Sequence, residues 1–88
     1  MAFDTITTIT WASEADQNNQ DLAAARDIEL ETMTSEGKTD GSYLEVTPVT
    51  TTRYWLDLAA AQEFGAFISN AATTYNCTIV SIEYGTRA

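Results

Sequence analysis

The sequence predicts a single α+β domain over residues 1–88, a two-layer sandwich in which two helices cover one face of a mostly antiparallel sheet. Three observations lead to this fold class. Apolar and polar residues alternate along four short stretches, as they do in half-buried strands. Two other stretches repeat apolar residues at intervals of three and four, which is typical of helices. A chain of this length buries roughly 60% of its unfolded surface, enough for one core.

The first element is a strand over residues 3–11 (FDTITTITW). It is rich in threonine and isoleucine, which favour strands. Phe3, Ile9 and Trp11 stand in alternate register, as in a strand. The threonine content predicts that one face of this strand is only partly buried.

A helix is expected to follow from Ser13, whose hydroxyl can cap the first turn, to Gly37, a suitable terminator. Residues 17–20 are weak helix formers. The apolar stripe is imperfect and consists of Ala15, Leu22, Ala25, Ile28 or Glu29, and Met33. An alternative ends the helix near Arg26 and makes residues 28–32 an alternating strand. The alanine run and Gly37 favour the helix.

Two strands come next. Residues 39–42 (TDGS) have the composition of a turn, and residues 43–47 (YLEVT) form a short strand. Pro48 interrupts the pairing, because proline has no N–H to donate. Residues 50–56 (TTTRYWL) form another strand that leads into the second helix.

The second helix is the clearest element. Asp57 can cap it, since its carboxylate can accept from N–H groups of the first turn. Asn76 is a suitable left-handed terminator. The helix has two adjacent apolar rows, which are Ala60, Phe64, Phe67, Ala71 and Tyr75, and Ala61, Gly65, Ile68 and Ala72.

The last strand covers residues 78–84 and is followed by residues 85–88, which we expect to be a loose tail. Its period-two pattern places Thr78, Val80, Ile82 and Tyr84 on one face and Ile79, Ser81 and Glu83 on the other.

The element order is therefore β-α-β-β-α-β. With right-handed crossovers, two helix stripes packed on one sheet face give the ferredoxin-like topology with sheet order 4-1-3-2. This topology places residues 3–11 and 50–56 inside the sheet and residues 78–84 at an edge.

Composition argues against most catalytic and metal chemistry. The chain has no histidine, the commonest general base and metal ligand. We interpret Cys77, the only cysteine, as a small buried residue rather than a nucleophile, because no activating histidine exists. Arg53 could pair with a carboxylate, stack on an aromatic ring or bind an anion. We predict no catalytic residues, no metal site and no cofactor, and we lean against an enzyme.

Thirteen acidic and four basic residues give a net charge of −9. Direct binding to nucleic acid requires a basic surface and is not expected. No apolar run approaches the roughly 20 residues of a membrane span, and the first ten residues lack a basic leader followed by an apolar region. We expect a protein that is not secreted and does not bind membranes.

Five short segments carry a resemblance to a known group of proteins. The segments are Trp11, residues 37–40 (GKTD), residues 52–55 (TRYW), residues 60–64 (AAQEF) and residues 80–81 (VS). Their spacing resembles that of small proteins encoded by tailed bacteriophages, especially aquatic ones, for which no activity is established. The resemblance covers most of the chain. It implies a viral origin and a location in the host cytoplasm or the virion, and nothing about mechanism.

The acidic residues are concentrated, with nine of the thirteen between residues 14 and 45. We hypothesise that the first helix mimics the charge of a nucleic acid and binds a basic groove on a host protein. The residues of this acidic surface are Glu14, Asp16, Asp21, Asp27, Glu29 and Glu31. The alternative is a solvated helix face that keeps the protein soluble.

The last strand is the second candidate surface. It is uncharged up to Glu83 and apolar on both faces, which a lone monomer would protect. We predict that Ile79, Ser81 and Glu83 take part in pairing with a second copy as a homodimer, or in docking on a larger assembly such as a virion.

These observations favour a small acidic interaction protein that acts by protein–protein binding or self-association. Two alternatives stay open. One is a structural or accessory component of a virion. The other is a small ferredoxin-like dimeric enzyme with an apolar pocket lined by Trp11, Tyr43, Tyr54 and Trp55.

Overall fold

The computed structural model describes residues 3–87 of the chain. Within this range the fold is α+β, with a four-stranded sheet and three helices in the order β-α-α-β-β-α-β. The elements are β1 (Thr5–Trp11), α1 (Glu14–Gln17), α2 (Gln20–Ser35), β2 (Tyr43–Thr47), β3 (Thr50–Trp55), α3 (Leu58–Thr74) and β4 (Ile79–Thr86).

The strands lie in the order β2-β3-β1-β4, and all neighbours are antiparallel. The strands expected inside the sheet are the interior strands, and β4 lies at an edge as expected. Thr7 of β1 stands opposite Arg53 of β3 and Tyr84 of β4, so the three side chains share one face. β1 begins at Thr5 rather than Phe3, because Phe3 has a φ of 65°, outside the strand region.

The core lies between this face and the helices. On β1 the alternate residues from Thr7 to Trp11 are buried, while those between them are half-buried. The largest fully buried apolar side chains are Trp55, Phe64, Leu22, Met33 and Ile68, so both long helices contribute to the same cluster. The rings of Trp55 and Phe64 are 4.7 Å apart, and the Trp55 indole N–H donates to the buried Thr7 hydroxyl at 3.0 Å.

The helix ends follow the sequence closely. The caps predicted at Ser13 and Asp57 are present, with each side chain accepting from a backbone N–H three residues later. Gly37 after α2 has a φ of 77° and Asn76 after α3 has a φ of 58°, the left-handed conformation expected of both terminators.

The prediction of one continuous first helix is wrong. α1 ends at Gln17, and α2 begins at Gln20. The Asn19 side chain accepts from the Leu22 N–H at 3.0 Å, and this local bond competes with helix continuation in a weakly helical segment. The alternative strand over residues 28–32 is also wrong, since these residues lie inside α2.

The predicted loose tail over residues 85–88 is wrong for the part that the structure describes. β4 continues to Thr86, and the Arg87 N–H donates to the Asp4 carbonyl at 2.6 Å. The pairing with β1 therefore holds the chain almost to its end. The predictions also covered three residues outside the described range, which are Met1, Ala2 and Ala88.

A β-bulge changes the register of β4. Two consecutive residues of β1 stand opposite Ile79 and Ser81, which leaves Val80 between them without a partner. Ile79 and Ile82 both pack partly against the core, whereas Val80 is 65% exposed. The predicted alternation is therefore wrong here, and Ile79 does not share a face with Ser81 and Glu83.

Candidate functional site

The residues of the predicted acidic surface are distributed around α1 and α2. Glu14, Asp21 and Glu31 are exposed, and Glu29 is half-buried. Asp27 and Glu31 are four residues apart and share one side of α2. Glu29 is two residues from each of them and lies on another side. The structure therefore separates these acids rather than aligning them on one strip.

Two of the same acids have partners in the chain. Asp16 Oδ2 accepts from the Thr78 N–H at 3.4 Å, which connects α1 to the segment before β4. Asp27 Oδ1 lies 3.4 Å from Arg26 Nε, and its side chain is 69% exposed. Such a long, solvated contact contributes little to stability.

The predicted edge surface on β4 consists of an unpaired strand edge. β4 pairs with β1 on one side and with no other described strand. Glu83 is the only charged residue in its eight positions. Val80 is exposed at the bulge, and the Tyr84 side chain is also partly accessible. An edge of this kind offers backbone groups to another strand.

The opposite edge differs in length, in the position of its charge and in a following proline. β2 has five residues with Glu45 at its centre. Its register with β3 shifts between Glu45 and Thr47, and Pro48 follows directly. Short length, a central charge and a proline all discourage pairing with another strand, whereas a register shift is common to both edges.

The four aromatic residues considered for an apolar pocket do not line a common space. Trp11 and Trp55 are buried in the core. Tyr43 stands opposite Arg53 on the helix-covered face. Tyr54 belongs to the other face, where the Arg87 guanidinium lies 4.0 Å from its ring centre.

A polar cleft of about 390 Å³ opens between α2 and the β2–β3 half of the sheet. Charged and aromatic side chains dominate its lining, with Arg26 and Asp27 from α2 and Tyr43, Glu45 and Arg53 from the strands. A smaller space of about 20 Å³ lies beneath it, against core residues such as Phe64 and Ile68. Arg26 and Arg53 line both spaces, so these form one depression that narrows toward the core.

Arg53 lies deepest among the charged residues of the cleft. It is only 9% exposed. Its guanidinium carbon lies 4.9 Å from the Tyr43 ring centre and 5.9 Å from that of Phe64, within cation–π range. Burial, followed by the charge of Arg26, lowers the pKa of Arg53 from its usual range to about 10. The side chain therefore remains a cation at neutral pH.

The donors of Arg53 face the cleft. Its side chain makes no hydrogen bond or ion pair with any of residues 3–87. No side-chain nitrogen or oxygen in the described range is both sealed from solvent and without a partner. The N–H groups of Arg53 consequently reach solvent, and the cleft that Arg53 lines is where they do so.

Stacking, one of the three roles considered for Arg53, is observed, and carboxylate pairing is not found among the described residues. The sequence contained a signal for the burial of this side chain. Arg53 precedes the core residue Trp55 by two positions in a strand, so both side chains project from the same face. The neighbouring Arg26 could not be foreseen, because its proximity arises from the packing of α2 on the sheet.

Cys77 is buried, as the sequence analysis expected. Its sulfur lies 3.7 Å from the Tyr75 carbonyl oxygen. Burial and then the nearby charge of Asp16 raise the pKa of the thiol. A thiol that resists ionisation is a poor nucleophile at neutral pH.

Residues 3–87 contain neither a cluster of metal-ligating side chains nor a helix able to span a membrane. No cluster of three or more Cys, Asp or Glu side chains in that range could hold a metal ion. None of the helices described there is long and apolar enough to cross a membrane.

Comparisons with protein-family models, curated proteins and solved structures find no match to this chain.

Proposed function

We propose that this chain is a small interaction protein without catalytic activity, which self-associates as a homodimer by pairing the outer edges of two β4 strands. The contrast between the two sheet edges supports the proposal. β2 carries several features that prevent strand addition, whereas β4 is longer, ordered to Thr86 and uncharged before Glu83. A second copy offers the same edge, so antiparallel pairing of β4 with itself closes the assembly as a two-fold dimer.

The proposed fold type is ferredoxin-like. Counted from the β4 edge, the strand order is β4-β1-β3-β2, and helical connections join β1 to β2 and β3 to β4. We also propose that the protein is phage-encoded and acts in the host cytoplasm or the virion. This part of the proposal rests on the resemblance of residues 37–40 and 52–55 and the other matching segments.

The substitution Val80→Glu tests the interface. Val80 is 65% exposed, so the monomer is expected to fold normally with a charge there. In the proposed dimer the new carboxylates lie close to the partner strand, where like charges oppose pairing. Val46→Glu is the matched control, because Val46 is 55% exposed on the β2 edge. We expect sedimentation velocity to show dimers for the parent chain and Val46→Glu, and monomers for Val80→Glu.

Circular dichroism will verify that both variants keep their secondary structure. A parent chain that remains monomeric at the highest attainable concentration contradicts the proposed dimer. Loss of dimers in Val46→Glu but not in Val80→Glu would place the interface on β2 instead.

A further inference from the structure

We propose that the polar cleft binds a small carboxylate ligand through the guanidinium groups of Arg53 and Arg26. The site lies on the helix-covered side of the sheet, between α2 and the β2–β3 hairpin. It is separate from the outer edge of β4, so the proposal does not depend on self-association.

The guanidinium group of Arg53 has no ion-pair partner among residues 3–87. A buried cation normally has a counter-ion or full hydrogen bonding, because removing it from water is costly. Tyr43 and Phe64 offer their ring faces to the guanidinium group, whose carbon lies 4.9 Å and 5.9 Å from the two ring centres. Its N–H donors lie in the plane of the group and have no partner in residues 3–87. Because these donors reach the solvent of the cleft, a ligand there can replace water and pair with them directly.

Arg26 lines the same cleft as Arg53. The chain has four basic residues and a net charge of −9, yet two of the four line this one cleft. Their charges repel, and the charge of Arg26 adds to burial, the larger cause, in lowering the pKa of Arg53. Arg26 Nε and Nη2 each lie 3.4 Å from Oδ1 of the exposed Asp27, so both of its contacts are long ones to a solvated carboxylate. An anion between the two guanidinium groups would relieve the repulsion and satisfy both sets of donors.

The shape of the guanidinium group and the charge of the cleft lining favour a carboxylate over other anions. The planar fork of a guanidinium group matches the two oxygens of a carboxylate. Asp27 and Glu45, both exposed, line the same cleft and disfavour a dianion such as phosphate more than a singly charged group. The volume of about 390 Å³ suits a small organic molecule. The narrow space beneath holds no more than a group the size of a methyl.

NMR titration of the full chain provides the test, with sodium acetate and sodium phosphate as separate probes at constant ionic strength. We expect acetate to shift the Nε–H signals of Arg53 and Arg26 and the backbone amide signals of β3. Phosphate is expected to shift the same signals only at higher concentration. No shift of the Arg53 signal by acetate would overturn the proposal. Tighter binding of phosphate would overturn the assignment to carboxylates.

Three variants localise the binding. Arg53→Met removes the fork while keeping similar bulk, and it is expected to weaken acetate binding about tenfold or more. Arg53→Lys keeps the charge without the fork and is expected to weaken binding too, so it serves if the methionine variant does not fold. Arg87→Gln is the control, because Arg87 stacks on Tyr54 on the opposite sheet face. Unchanged binding in folded Arg53 variants, or equal loss in Arg87→Gln, would refute the site.

Discussion

Single residues show where this molecule gives up stability, and Arg53 is the clearest example. It occupies the same sheet face as Trp55, in a position that an apolar side chain would fill without cost. The lowering of its pKa to about 10 corresponds to roughly 3 kcal/mol against the charged form. Stacking on an aromatic ring returns about 1–2 kcal/mol. Net destabilisation at a cleft is typical of binding sites.

Arg53→Met is therefore expected to stabilise the ligand-free protein, by about 1 kcal/mol in the free energy of unfolding. Urea denaturation at neutral pH measures the change. Arg87→Met is the control, because its guanidinium lies on the far face, and it is expected to change stability by no more than about 0.5 kcal/mol. A less stable Arg53→Met would show that stacking of the cation outweighs its desolvation.

The same pair of proteins has a defined pH dependence. The pKa of Arg53 is lower in the folded chain than in the unfolded chain, so the unfolded state binds more protons between about pH 10 and the ordinary pKa of arginine. The parent chain therefore regains stability from this group as pH rises through about 10. The advantage of Arg53→Met is accordingly expected to be constant below this pH and to shrink above it.

At the scale of elements, α3 packs closely against β4 because the residue at position 65 is a glycine and has no side chain. Gly65 lies in the buried row of α3, directly beneath the Tyr84 hydroxyl. A Cβ at position 65 would overlap the Tyr84 oxygen and crowd the ring carbon that carries it at 3.1 Å. The apolar pattern of the helix predicted Gly65 in its buried row, but the pattern gives no reason for a glycine at this position.

Gly65→Ala consequently has two opposing effects. Alanine gains about 1 kcal/mol of helix propensity. Displacing Tyr84 costs about 1–3 kcal/mol, as overpacking does. We expect Gly65→Ala to lower stability in the parent chain and to lower it less in a Tyr84→Phe background, where the overlapping oxygen is gone and the ring-carbon contact at 3.1 Å remains. The double-mutant cycle is expected to give a coupling energy of about 1–2 kcal/mol.

Thermal and urea unfolding of the four proteins in this cycle supply the measurements. Ser69→Ala is the matched control, because Ser69 is exposed on the same helix and has no reason to couple with Tyr84. An equal effect of Gly65→Ala in both backgrounds would show that Tyr84 swings away without cost.

What the sequence predicted about the elements depends on how local each signal is. Caps at Ser13 and Asp57 and terminators at Gly37 and Asn76 involve neighbours in the chain, and all four were found. The bulge at Val80 was missed, because it is defined by the pairing with β1 and not by the residues of β4 alone. Register is a property of two strands, and one strand's pattern does not contain it.

The helix break at Asn19 was only partly predictable from neighbouring residues. Its cap is local, but asparagine also occurs within helices, so the residue type alone did not decide the outcome. The cleft was beyond sequence analysis, because Arg26 and Arg53 come together only when α2 packs on the sheet. The acidic character, by contrast, follows from the amino-acid composition alone.

At the scale of the whole molecule, the net charge of −9 affects two modes of protein binding, which are self-association through β4 and binding of the acidic helix to a basic groove. The two modes are expected to respond to salt in opposite ways. Two copies with a net charge of −9 each repel, and β4 pairing contributes no compensating ion pairs before Glu83. An acidic helix bound to a basic groove on another protein attracts it instead. Raising ionic strength from about 0.01 M to 0.1 M shortens the screening length from about 30 Å to 10 Å. It therefore strengthens the first mode and weakens the second.

We expect the dissociation constant of the homodimer to fall about threefold or more over this range of salt, because screening removes repulsion without disturbing backbone pairing. Sedimentation equilibrium at several salt concentrations measures it. Val80→Glu provides the control and is expected to remain monomeric at low and at moderate salt, since its added charge lies at the interface itself. A homodimer that weakens as salt rises would show that ion pairs hold it together. The interface would then have to involve the arginines and the acidic helices, rather than the uncharged edge of β4.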